Sequence, residues 1–218
     1  AHADTAIVQA SGVKGGLVVV IGCDAPALLA DVKAAGPYLV HGLDDDPASV
    51  AAARTYLRQK HLYGPVTVSR LRGAALPYAD GVVNLIVVTG PTEVPADEMM
   101  CALAPGGVIA DVRGPEVDIT RKEWPAELDE WTHYLHDASN NAVSSDARVG
   151  SPQGLRWTCG PEFARSHEHF ASMSAMVTAG GRVFSIIDEG PIRSVYLPPQ
   201  WNLVARDAFS GVLLWKRP

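Results

Sequence analysis

The sequence predicts an α/β domain followed by an all-β segment, and three observations carry that prediction. Over residues 16–112, apolar runs of strand length alternate with Ala-rich stretches of helical character. The composition changes near residue 115, beyond which the chain is polar, aromatic and rich in turn formers. From residue 172 onward, short strand-like runs are joined by tight turns.

The elements follow in order. Residues 16–22 read as a strand and 26–35 as a helix, and "PYLVHGLD" (37–44) is the next strand. Residues 46–62 form a helix with Asp46 as N-cap and Pro47 at the first helical position. "VTVSRL" (66–71) and "VVNLIVV" (82–88) are strands. A short helix over 96–104 is stopped by Pro105-Gly106-Gly107, and "VIADV" (108–112) is a further strand. Strands alternating with helices imply a parallel sheet with right-handed crossovers, buried on both faces, and hence a Rossmann-like domain over about 1–115.

Residues 116–150 read as a polar connector with one short helix at 125–136. "LRW" (155–157) stands alone as a strand-like fragment. "SMSAMVT" with "RVFSIID" (172–188) and "WNLVARD" with "VLLWKR" (201–217) read as two hairpins. Four antiparallel strands in succession over 151–218 are the content of one β-propeller blade.

The chain has 218 residues, 47% of them hydrophobic and 19% charged, which is globular rather than disordered. A net charge of −6 without a basic run argues against nucleic acid as a partner. No apolar stretch approaches the roughly 18 residues of a membrane span. Cys23, Cys101 and Cys159 are widely spaced, with no CxxC, haem-attachment or zinc pattern. Cys23 stands at a helix start, where a thiol pKa can be lowered. No Gly-x-Ser-x-Gly elbow occurs. The opening "AHADT" is read as the mature start of an exported chain or as a trimmed one.

Four features in order make residues 12–112 resemble the class I S-adenosylmethionine-dependent methyltransferases. They are the strand and glycine at Val18–Gly22, "VHGLDDDPASVAAAR" (40–54), "LPYADGVVNLIVV" (76–88) and "MMCALAPGGVIADV" (99–112). The resemblance implies that Gly22 belongs to the loop that admits the cofactor's methionine end, and that Asp44 would hold the ribose hydroxyls. It also marks departures. Val20 stands where the family has an acid, and Asp24 and Pro26 stand where it has further glycines. Arg72 replaces the family's acid at the adenine amine, and Val83-Asn84 replaces Phe-Asp. The expectation is a kept fold with an eroded S-adenosylmethionine (SAM) site, in which Gly22 and Asp44 are the remaining cofactor-binding candidates.

"LVARDAFSGVLLWKRP" (203–218) resembles the repeat of pyrroloquinoline-quinone (PQQ)-type β-propellers through Ala205, Asp207, Ala208, Gly211, Leu214 and Trp215. That resemblance implies partners in the form of the remaining blades or a second chain, with 155–157 as a strand that could close the ring. Together the two parts look like large exported planctomycete-type proteins, which implies a periplasmic or extracellular location; a cytoplasmic one is the alternative. The leading functional expectation is a non-catalytic binding or assembly module with the methyltransferase-fold head as scaffold. The alternatives are a SAM-dependent methyltransferase and a piece of a quinoprotein oxidoreductase. Within this chain no cofactor is expected beyond a doubtful SAM, and PQQ or a metal ion stays open.

Four of the seven histidines fall in two short segments, "WTHYLHD" and "RSHEHF". His133 and His136, at i, i+3 with Asp137 beside them, would share one helix face and offer two imidazoles to one ion. His167 and His169 flank Glu168 and would share one strand face. A metal site or a polar pocket is one reading, and histidines hydrogen-bonded to carboxylates is the other.

Overall fold

The computed structural model describes residues 3–151, 154–161, 172–193 and 196–218. The chain divides into two compact units, Ala1–Trp124 and Pro125–Pro218.

In the first unit, strands β1 (Gly16–Ile21), β2 (Tyr38–Asp44), β3 (Val66–Arg70), β4 (Val83–Val88), β5 (Leu103–Asp111) and β6 (Asp118–Arg121) form one sheet in the order β3-β2-β1-β4-β5-β6. The pairs up to β5 are parallel, and β6 is antiparallel to β5. This is a Rossmann-like α/β sheet with its order reversing between β1 and β4. All six residues of β1 are buried because layers cover both faces. Val18 and Val20 enter one apolar cluster with Leu29, Val40 and Leu57, while Leu17, Val19 and Ile21 enter the other with Leu43, Ile86 and Leu103. Period-2 alternation inside a two-sided core therefore shows as an unbroken apolar run.

Helix α3 (Pro47–Gln59) shows how local and long-range terms agree. The Asp46 carboxylate accepts from Ala48 N at 3.1 Å and Ser49 N at 3.0 Å, Pro47 sets the first turn, and Val50, Ala53 and Leu57 form the buried stripe. Helices α2 (Pro26–Ala34) and α4 (Ala96–Ala102) lie where the pattern places them, although α4 ends before Pro105 because β5 already begins at Leu103.

Two elements of this unit were not foreseen. Helix α1 (Ala3–Ser11) precedes the sheet, and β6 lies in the stretch assigned to the connector. Two cations at the end of β6 fasten it. Arg121 donates to Ser11 O at 2.6 Å and to Gly106 O at 2.8 Å, and Lys122 donates to Met100 O and Leu103 O at 2.7 Å each. Both side chains thereby satisfy carbonyls left over at the ends of α1 and α4.

In the second unit, β7 (Met173–Ala179), β8 (Arg182–Asp188), β9 (Trp201–Asp207) and β10 (Leu213–Arg217) form an antiparallel sheet in the order β10-β9-β8-β7. Residues 125–136 do not form the expected helix. They run as turns tied to the sheet, with Thr178 N donating to Trp131 O at 2.7 Å and Trp131 N donating to Thr178 Oγ1 at 2.8 Å. Nor do residues 155–157 form a strand. Instead, the Trp157 indole donates to Ala208 O at 3.0 Å and covers Gly211, whose φ of +71° and lack of a Cβ permit the contact.

Register places Val177, Phe184, Ala205 and Trp215 in one row across the sheet, and Ala175, Ile186 and Leu203 in the next. These residues share a face. Ile186, Leu203 and Trp215 on it are 39%, 40% and 36% exposed, in contrast to the fully buried β1 of the first sheet.

Candidate functional site

At the C-terminal ends of β1 and β2, beside the reversal of strand order, lies a cavity of about 320 Å³. This is the place where open α/β sheets bind ligands. Its lining includes Gly22 and five carboxylates, Asp24, Asp44, Asp45, Asp46 and Glu93; no Lys, Arg or His lines it among the described residues.

The two SAM candidates both meet here, and the fold itself engages each of them. Gly22 has a φ of +99°, and a Cβ on it would stand 2.3 Å from Thr89 Oγ1. That hydroxyl donates to Ile21 O at 3.0 Å and to Gly22 O at 3.1 Å, so it stitches the end of β1 to the chain leaving β4. The glycine thus makes room for a threonine of the same domain. Asp44 is buried, and its Oδ2 accepts from Cys23 N at 2.6 Å while Oδ1 accepts from Asp46 N at 2.9 Å. One carboxylate therefore braces the loop after β1 and the turn into α3.

The surrounding departures follow the same logic. Val20 is fully buried in the core. Asp24 is exposed and accepts from Ser49 Oγ at 3.0 Å, and Pro26 opens α2. Arg72 is exposed on the loop after β3, and Asn84 accepts from Leu17 N at 2.8 Å at the start of β1. Cys23 is not an activated thiol. Burial pushes it up to about 12, with the Asp44 and Asp24 charges adding to the effect.

The histidine pair is arranged differently from the expectation. His133 and His136 face each other across a tight turn, with His133 N donating to His136 O at 3.0 Å, because no helix forms there. His136 is buried, lies against Trp131 with ring centroids 5.2 Å apart at an interplanar angle of 58°, and puts Nε2 2.6 Å from Asp129 Oδ2. Asp129 also accepts from Ser145 N, Ser144 Oγ and Ser145 Oγ, and these bonds hold it well below the usual carboxylate range, with the Ser145 amide leading. His133 Nδ1 lies 2.9 Å from Thr132 Oγ1. His167 and His169 lie outside the described residues. Among the described residues, no group of three or more His, Cys, Asp or Glu is placed to hold a metal ion. Asp188 accepts from Gly190 N and Gln200 N, and Glu189 accepts from Asn202 and Lys216, so both acids close the β8–β9 connection.

Sequence reasoning missed Thr89 behind Gly22 and Asp129 in the connector. No local signal marks Thr89, because its partners Ile21 and Gly22 lie in a different strand and its following loop.

Comparisons with known proteins bear on the first unit. No protein-family model matches the chain, and no curated protein matches it. Solved structures similar to it include an S-adenosyl-L-methionine-dependent methyltransferase of Methanococcus maripaludis, at 19% identity and TM-score 0.45, over 50% of this chain and 52% of that one. Another is geranyl diphosphate C-methyltransferase of Streptomyces coelicolor, solved with S-adenosyl-L-homocysteine, at 15% identity and TM-score 0.45, over 50% of this chain and 44% of that one. A SAM-dependent methyltransferase of Aquifex aeolicus matches at 19% identity and TM-score 0.42, over 52% of this chain and 69% of that one. The chain thus spans about half the length of the first two. No helix among the described residues is long and apolar enough to cross a membrane.

Proposed function

We propose that the first unit is a non-catalytic scaffold in a larger binding or assembly protein. One observation carries this reading: the fold itself employs both SAM candidates. Gly22 is matched to Thr89, and both Asp44 oxygens already accept backbone amides. On this reading the first unit does not use SAM as a methyl donor. Isothermal titration with SAM tests the reading. No heat at millimolar ligand is expected, and micromolar binding overturns it in favour of a methyltransferase.

The second unit is proposed as one blade of a PQQ-type propeller, in an exported protein, with further blades on this polypeptide or a second chain as its partners. Supporting this are the four-stranded antiparallel order and the row of exposed apolar residues through Ile186, Leu203 and Trp215 on one face. The Asp207 carboxylate also accepts from Phe209 N, Ser210 N and Ser210 Oγ, which is how the repeat's Asp-Ala-x-x-Gly turn would be held. Cell fractionation of the producing organism tests the location; recovery in the cytoplasm overturns export.

A further inference from the structure

The loop from Leu71 to Val82 stands where an α/β crossover ordinarily carries a helix. It covers the outer part of the β2–β3 face without one, and Leu39 on that face stays 42% exposed. The loop forms part of the cavity wall through Leu71 and Gly73. Two polar ties hold its middle. Leu76 N donates to Glu98 Oε1 of α4 at 2.7 Å, and the Tyr78 hydroxyl lies 2.6 Å from His41 Nδ1 of β2. The two rings also meet edge to face at 5.9 Å.

We propose that the His41–Tyr78 hydrogen bond is a pH-sensitive latch, and that protonation of the imidazole releases the 71–82 loop and with it one wall of the acidic cavity. In the neutral tautomer that carries its proton on Nε2, Nδ1 accepts the Tyr78 O–H. The incoming proton lands on Nδ1, the atom that holds the tyrosine. An imidazolium donates from both nitrogens, so the bond must reverse: the Tyr78 oxygen accepts, its own proton turns to another acceptor, and the ring beneath the loop becomes a cation. Among the described residues, no ion pair joins His41 to a carboxylate. At the level of His41 the neighbouring strands present Val19 on β1 and Thr67 on β3. Glu98 of α4 is oriented by the Leu76 amide, and the loop's own Arg72 and Asp80 are exposed. Burial accordingly holds His41 below its ordinary value. The neutral form is the one that fits, so the latch is closed at neutral pH and opens as pH falls below about 6.5.

The experiment is amide hydrogen exchange on the full chain at pH 7.5 and 5.5, corrected for intrinsic rates, with His41 titrated in parallel by NMR. Protection over residues 72–80 should fall by about threefold or more in the wild type, with a midpoint that follows the His41 ring signals. His41→Gln, which cannot charge, should show no such change between the two pH values. Tyr78→Phe, which keeps the ring and removes the hydroxyl, should show reduced protection at both. Equal wild-type protection at both pH values overturns the proposal. So does a loss that persists in His41→Gln, or one that disappears in Glu98→Gln instead.

Discussion

The two sheets of this chain are made of similar residues and differ in what covers them. In β1, Val18, Val19 and Val20 are fully buried, because helices lie over one side and α4 with its flanking loops over the other. In the antiparallel sheet, β8 and β9 carry comparable apolar side chains, yet Ile186 and Leu203 are about two-fifths exposed. A parallel sheet brings its own cover, since each crossover delivers a helix or loop to a face. A meander joined by tight turns brings none, and its open face must be closed by something else. The same difference separates the two polar clusters. Asp44 acts inside a finished core, whereas Asp129 organises a surface segment.

The sharpest way to break this comparison is to cut both sheets equally. Leu85→Ala in β4 should lower stability by about 2–5 kcal/mol in chemical denaturation, because the void is enclosed on all sides. Leu203→Ala in β9 should lose less than about 1 kcal/mol, since water already reaches that side chain; equal losses would show the second face to be covered in solution. Next in size is Gly22→Ala, expected at about 1–3 kcal/mol from the positive φ and the Thr89 contact. Combining it with Thr89→Ala should recover part of that loss, and no recovery would mean that the backbone angle alone decides it. Asp44→Ala should lose about 1–3 kcal/mol by leaving the Cys23 and Asp46 amides without their acceptor, with no change in ligand affinity if the scaffold reading holds. The smallest effect concerns pH. Asp129 is held below its ordinary range by the Ser145 amide and its other donors, so its contribution is complete above about pH 4 and is lost as pH falls through its folded value. Thermal melting of the second unit should therefore weaken on acidification below that point in the wild type. Asp129→Asn should flatten that part of the profile.

Much of the first unit was legible because its signals are local. Asp46-Pro47 starts α3 by short-range hydrogen bonding, and the run through Val18, Val19 and Val20 is apolar whichever face each residue takes. By contrast, β6 has only four residues, and its pairing with β5 gains from Arg121 reaching Ser11, 110 positions away. The expected helix over 125–136 failed for a similar reason. Trp131 pairs with Thr178 and Asp129 gathers His136 and Ser145, and these long-range bonds outweigh a weak local helical preference. The site was legible only in part. Gly22 and Asp44 were found by position, and their engagement by Thr89, Cys23 and Asp46 was not.

By itself the sequence determined the alternation of strands and helices and the caps and turns. Each of these depends on a residue's own backbone preference or on neighbours a few positions away. The tertiary structure decided what Gly22 makes room for, what Asp44 holds, how His133 and His136 face each other, and which apolar face stays open. Most of those outcomes depend on groups distant in the chain arriving within hydrogen-bonding or van der Waals distance, as Thr89 does at Gly22 and Cys23 at Asp44, and no local pattern encodes such an arrival.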